Sequence, residues 1–191
     1  MKSVKNNEHT IIIKNSRFIC YLFKIESKNE ITNFLQEIKE KYYDATHHCY
    51  AYILDSEKKE SDDGEPSGTA GIPILQVLEK NQLNHVLCIV VRYFGKIKLG
   101  AGGLVRAYTK SVTETLKDHI INLAEGLCIN ITFSYDKLKT IDYMLKDIKI
   151  IEKNFNDTVT YQIHISKEKL ESLKAIKDIE ITILYSLYLP L

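Results

Sequence analysis

Apolar positions change period several times along the chain, and each change marks an element. His9–Ile13 and Arg17–Ile25 are two β-rich runs joined at Lys14-Asn15-Ser16, which predicts a hairpin. Ser27 followed by Glu30 has capping-box spacing, and Ile31, Phe34, Leu35, Ile38 and Tyr42 then recur at helical intervals. His47–Leu54 reads as a strand, and Asp55–Gly68, DSEKKESDDGEPSG, as the longest polar loop. Thr69–Lys80 is expected to be helical, with Ile74, Leu75, Val77 and Leu78 on one face. Pro73 falls in its first turn, where a missing N–H costs nothing. His85–Val91 is a continuous apolar run rich in β-branched residues, the mark of a buried strand. Leu104, Ala107, Tyr108, Ser111, Val112, Thr115 and Leu116 return to helical spacing.

From Leu127 the elements shorten. Ile129, Ile131, Phe133 and Tyr135 alternate with polar residues, as a half-buried strand does. Asp136 is expected to cap a helix bearing Leu138, Ile141, Leu145 and Ile148. A short strand at Lys149–Lys153, a turn at Asn154–Asp157 and an alternating strand through Val159, Tyr161, Ile163 and Ile165 follow. Ser166 caps a helix with Leu170, Leu173 and Ile176, and the last strand carries Ile181, Ile183, Tyr185 and Leu187. This βαββαβ order is that of a ferredoxin-like unit. It divides the chain into domains at 1–124 and 127–191, in an α+β class.

Composition narrows the setting. Of 191 residues, 45% are hydrophobic and 27% charged, an ordinary globular balance, and the net charge is +1. Bulk charge therefore favours no partner, and any nucleic-acid signal must be local. Met1–Thr10 is polar, so no signal peptide is expected, and no apolar run approaches the roughly 20 residues needed to span a bilayer. Cys20, Cys49, Cys88 and Cys128 lie far apart in apparent strands without a CxxC, which predicts buried, reduced thiols in a cytoplasmic protein with no membrane partner.

The candidate chemistry lies at Arg92–Lys110, RYFGKIKLGAGGLVRAYTK, between the buried strand and the helix expected to begin near Leu104. It holds Gly95, Gly100, Gly102 and Gly103 with Arg92, Lys96, Lys98, Arg106 and Lys110, and no acidic residue. The first N–H groups of a helix lack internal partners and attract anions, and glycines let a backbone approach a ligand closely. Arg106 and Lys110 are four apart and project together, away from the Leu104, Ala107 and Val112 stripe. The plainer reading is a tight turn with solvated cations. The stretch is neither a P-loop nor a dinucleotide fingerprint, because it has no GKS or GKT and GAGGL does not complete GxGxxG.

Asp62, Asp63 and Glu65, with Ser67, form a candidate second loop of the site. Three readings stand: carboxylates holding a hard cation such as Mg²⁺, ion pairs with Arg92, Arg106 or Lys110, or a solvated tip. No metal or other cofactor is assigned. His47 and His48 open a strand and face opposite ways. A nucleophile pair of Cys49 with His48 is disfavoured, because neighbouring strand residues point apart. No GxSxG or HExxH occurs, so no catalytic residue is assigned. Tyr93 and Phe94 beside the glycines are candidates to stack on bases, whereas Tyr108 sits on the core face of its helix.

SDDGEPSGTAG-P-IL from Ser61 to Leu75, RYFG-K-KLGAGGLVRAY from Arg92 to Tyr108 and ATHHCYAY from Ala45 to Tyr52 together resemble the YigZ/IMPACT family. The resemblance covers Arg17–Leu116 in matching order. One departure stands out: the family has a second glycine after YFG, and here Lys96 takes that place. The resemblance implies a ribosomal-protein-S5-domain-2-like first domain, a mixed sheet with helices on one face, followed by the ferredoxin-like domain of bacterial members. It also implies a link to translation. Eukaryotic relatives act in translational control by binding the activator of an initiation-factor kinase. The leading expectation is a cytoplasmic protein that binds RNA or a ribosome-associated surface through the basic glycine loop. The alternatives are a metal-assisted enzyme acting on a phosphoryl substrate, and a protein-binding regulator that touches no nucleic acid.

Overall fold

The computed structural model describes residues 1–190 and divides into two compact units, Met1–Asn122 and Leu123–Leu191. In the first unit β1 (Lys2–Val4), β2 (Asn7–Ile13), β3 (Ser16–Lys24), α1 (Lys28–Lys41), β4 (His47–Leu54) and β5 (Glu57–Ser61) come first. They are followed by α2 (Gly71–Lys80), β6 (Val86–Tyr93) and α3 (Ala101–Leu116). The sheet order is β2-β3-β6-β4-β5, and every pairing is antiparallel. Strand β6 is central, and its side chains divide between two cores. Val86, Cys88 and Val90 join a cluster with Ile74, Leu78, Leu104 and Val112 from α2 and α3. Leu87, Ile89 and Val91 join another with Ile31 and Ile38 from α1. A strand covered on both faces must be apolar at every position, which is why β6 reads as an unbroken run.

Two expectations are corrected here. The first sheet is antiparallel rather than mixed, and helices cover both of its faces, not one. The long polar loop also contains a strand. Glu57–Ser61, EKKES, pairs with β4 at the sheet edge, from Leu54↔Glu57 to Tyr50↔Ser61. Its charges hide it from a periodicity reading, and they are what keeps an edge strand from pairing with other chains. The β2–β3 turn is the two residues Lys14 and Asn15, at φ 44° and 63°. Positive φ at both central positions is the geometry that twists correctly into a hairpin.

The second unit is built from β7 (Ile120–Phe133), α4 (Leu138–Met144), β8 (Lys149–Phe155), β9 (Val159–Ser166), α5 (Lys167–Lys174) and β10 (Ile179–Pro190). The first residues of β7, Ile120–Asn122, still pair with β1. Beyond them β7 pairs with both β10 and β9, and β9 with β8, giving the antiparallel order β10-β7-β9-β8 of a ferredoxin-like unit. Ile129, Ile131, Tyr161 and Ile163 pack in one core with Ile141 of α4, Leu145 just after it, and Leu170 and Leu173 of α5. Ser166 caps α5 by accepting from the Lys169 N–H at 3.3 Å. Asp136 does not cap α4. It lies inside a 3-10 turn at Tyr135–Lys137 and accepts from the Ser134 hydroxyl instead.

All four cysteines are free and buried. Cys20 and Cys88 lie side by side, 3.6 Å apart at sulfur, and burial pushes the Cys49 thiol up to about 12. A polar thiol reagent added to the native protein is therefore expected to label all four only as fast as the fold opens, and stoichiometrically in denaturant. Fast native labelling of Cys49 with a neutral-pH thiolate rate would contradict this packing.

Candidate functional site

Strand β4 and the loop after β5 bring the acidic motif against the glycine motif that follows β6. Pairing of β4 with β6 sets His47 opposite Arg92. Alternation along β4 then turns His47 and Cys49 to one face and His48 to the other, where its Nε2 meets the Tyr42 carbonyl at 3.0 Å.

At the centre is a buried ion pair. Arg92 Nη1 donates to Glu65 Oε1 at 2.5 Å, with the two side chains 6% and 3% exposed. The Tyr108 hydroxyl donates to the same oxygen at 2.8 Å, and Arg92 Nη2 reaches Ser16 Oγ at 3.4 Å. Burial, reinforced by Cys49 and Glu65, raises the Tyr108 phenol far above its ordinary value, so it stays a donor. The Cys49 thiol lies 3.3 Å from that hydroxyl and 2.9 Å from the Asp62 carbonyl. A neutral, buried thiol is no nucleophile.

The other carboxylates also face inward. Asp62 accepts backbone N–H groups from Gly68 (2.7 Å), Ala70 (2.9 Å) and Gly71 (2.8 Å), which closes the loop onto the start of α2. Burial works against that charge, but the N–H bonds outweigh it and leave the Asp62 carboxyl below its usual range. Asp63 Oδ2 accepts the His48 N–H at 2.7 Å, and the Asp63 carbonyl meets His47 Nδ1 at 2.9 Å. Ser67 is exposed on the loop. Of the three readings of the acids, the ion pair holds for Glu65 with Arg92, and backbone N–H groups engage Asp62 and Asp63. Among the described residues no cluster of three or more His, Cys, Asp or Glu side chains is placed to hold a metal ion.

The glycine stretch does several jobs. A Cβ on Gly95 would collide with the Asn15 carbonyl group, so this glycine lets the β2–β3 turn dock against the loop. Gly100 precedes α3 at φ 71°, and α3 starts at Ala101, three residues earlier than its apolar spacing indicates, with no side-chain cap. Gly102 and Gly103 are in its first turn. Lys96, Lys98, Arg106 and Lys110 are all exposed, with Lys110 3.5 Å from Glu114. Arg92 differs from them: its guanidinium is committed to Glu65.

Between the loops is a cavity of about 440 Å³, lined by His47, Glu65, Pro66, Phe94, Lys98 and Leu99 among others. Sequence reasoning left His47 and Ser16 out of the site, although the alternation of HHCY had already put His47 on the Cys49 face. Of the two candidate stacking aromatics, Phe94 is 44% exposed at this cavity. Tyr93 is engaged elsewhere, under Arg17 (4.3 Å) and donating to Asp44 at 2.6 Å.

Residues 14–116, which contain this whole arrangement, match the Impact N-terminal domain. The chain belongs to the IMPACT family. It is similar to the IMPACT family member YvyE of Bacillus subtilis, at 41% identity over 169 residues, spanning 85% of this chain and 77% of that one. The Escherichia coli family member YigZ is 33% identical over 171 residues, covering 85% and 84% of the two chains. A crystal structure of a hypothetical protein aligns over 96% of this chain and 97% of its own, at 27% identity and a TM-score of 0.62. Lys96, where the family motif has glycine, lies at φ 65°. That is a left-handed conformation in which glycine carries no Cβ penalty, so the lysine here adds charge at a conformational cost of about 1 kcal/mol.

Asp62 gives a pH signature. Its folded carboxyl is depressed, so the stability it contributes is complete above the ordinary carboxylate range and is lost as pH falls through the lowered value. Asp62→Asn should cost about 1–3 kcal/mol at neutral pH, because a neutral amide serves three N–H donors poorly. It should also flatten the acid limb of a Tm-against-pH curve. An unchanged acid limb would show that Asp62 is not the loop's anchor.

Proposed function

We propose that this protein binds RNA or a ribosome-associated surface through the exposed cations around the start of α3, and that it acts in the regulation of translation. The observation that carries this reading is the separation of charge within the two motifs. Glu65 is neutralised by Arg92, and Asp62 is held by three backbone N–H groups. Lys96, Lys98 and Arg106 stay in solvent with the uncapped first turn of α3. A basic surface whose nearby acids are internally satisfied presents positive potential to a phosphate backbone. Membership of the IMPACT family supports the link to translation. An enzyme acting through metal-bound carboxylates is the weaker reading, because Asp62 is engaged by three backbone N–H groups and Glu65 is paired with Arg92.

Binding of a ten-nucleotide single-stranded RNA, followed by fluorescence anisotropy across a salt series, tests this. Affinity should fall steeply with salt, as neutralised phosphates release counterions. A double variant carrying Lys98→Ala and Arg106→Ala should bind more weakly and flatten the log–log salt slope by about one unit per lost contact. Equal binding by wild type and double variant, to RNA and to ribosomal subunits alike, would remove this face as the binding surface and favour a protein partner.

A further inference from the structure

The cavity between the loops presents hydrogen-bond acceptors that lack a donor. The Asp63 carbonyl 2.9 Å from His47 Nδ1 can only accept, so Nδ1 carries the hydrogen, and it is Nε2 that offers the lone pair whenever the ring is neutral. That Nε2 lies 3.8 Å from Glu65 Oε2, beyond hydrogen-bond reach. Glu65 Oε1 already takes Arg92 and Tyr108, while Oε2 accepts no hydrogen bond among the described residues, although the side chain is only 3% exposed. A carboxylate oxygen with no protein donor at a cavity is open to a ligand that brings a hydroxyl. Arg92, which lines the same cavity, has a buried Nε without a partner among the described residues.

Three further features sit around this acceptor pair. The exposed Phe94 ring and the aliphatic Leu99 and Pro66 give an apolar wall, Lys98 gives a cation, and Gly100–Ala101 opens the uncapped helix α3. About 440 Å³ is within the size range of small-molecule sites, ~300–1,000 Å³. An aromatic face, a hydroxyl acceptor and an anion site in one cavity match the three parts of a nucleotide: base, ribose and phosphate.

We propose that this cavity seats one ribonucleotide, its 2′-hydroxyl donating to the acceptor pair of His47 and Glu65, its base on Phe94 and its phosphate at Lys98 and the first turn of α3. This rests on the RNA-binding reading above and sharpens it, because the acceptor pair distinguishes ribose from deoxyribose. The ribonucleotide is either a residue of a strand or a free nucleotide, and the chemistry at the cavity is the same.

The test compares four probes on the intact protein: ten-uridine RNA, its 2′-O-methyl form, the deoxyuridine strand, and uridine 5′-monophosphate as competitor. Wild type should bind the RNA about tenfold more tightly than either the 2′-O-methyl or the deoxy strand, since both lack the donor. His47→Phe should close the gap between the RNA and deoxy strands, bringing their affinity ratio to about one. Phe94→Ala, an exposed change that leaves the core intact, should weaken the RNA and deoxy strands by a similar factor of about five to ten, and so preserve their ratio. Competition by uridine 5′-monophosphate assigns the cavity to a free ribonucleotide as well as a strand; its failure while RNA discriminates assigns it to a strand alone. Equal wild-type affinity for RNA and its 2′-O-methyl form overturns the proposal even where the Lys98→Ala, Arg106→Ala double variant still binds RNA more weakly, so the broader reading survives separately. No binding by any probe overturns both.

Discussion

Everything at this site depends on one buried contact, the Arg92 guanidinium on the Glu65 carboxylate. Two ions so enclosed are expensive to desolvate, and a pair of this kind is tolerated only when further hydrogen bonds satisfy it. Tyr108 and Ser16 supply those bonds, from α3 and from the start of β3. The carboxylate therefore joins the loop after β5 to the central strand and to the helix that follows the glycines, and the guanidinium joins it to the β2–β3 hairpin. The two motifs are 27 positions apart at Glu65 and Arg92, yet they form one structure because of this pair. Its consequence for function is indirect. By neutralising Glu65, it removes one negative charge from the neighbourhood of the exposed Lys96, Lys98 and Arg106.

Much of the fold was legible in the sequence because burial leaves a period. The two-faced burial of β6 wrote a continuous apolar run, the one-faced burial of β7 and β9 wrote alternation, and the helices wrote 3.6-residue spacing. What escaped was structure that does not bury apolar side chains. Strand β5 is a charged edge, Asp136 sits in a 3-10 turn instead of a cap, and Ala101–Gly103 begin α3 without any apolar signal. The class of the first domain followed from resemblance, but the layering over both faces of its sheet did not.

The site was legible in its motifs and hidden in its pairings. Glycine and charge marked both loops, and an Arg92 ion pair was one of three readings of the acids. No sequence pattern could show that Glu65 is buried, that Asp62 serves three backbone donors, or that His47 faces the same cavity. Those facts depend on the register of β4 against β6, which places His47 opposite Arg92. Register is set by the whole sheet, since a slip of one residue would send His47 to the α1 face. Lys96 is the instructive exception. A departure from the family's glycine was visible in the sequence, and its left-handed φ shows why glycine suits that position.

The most direct test of this account is a double-mutant cycle on the ion pair, read by denaturant unfolding of Glu65→Gln, Arg92→Met and the two combined. Removing Arg92 alone strands a buried carboxylate and should cost about 3–5 kcal/mol. The double variant should be more stable than Arg92→Met, with a coupling of at least about 1 kcal/mol. Simple additivity of the two single costs would contradict the account, and the acidic and glycine loops would then be held together by something other than this pair.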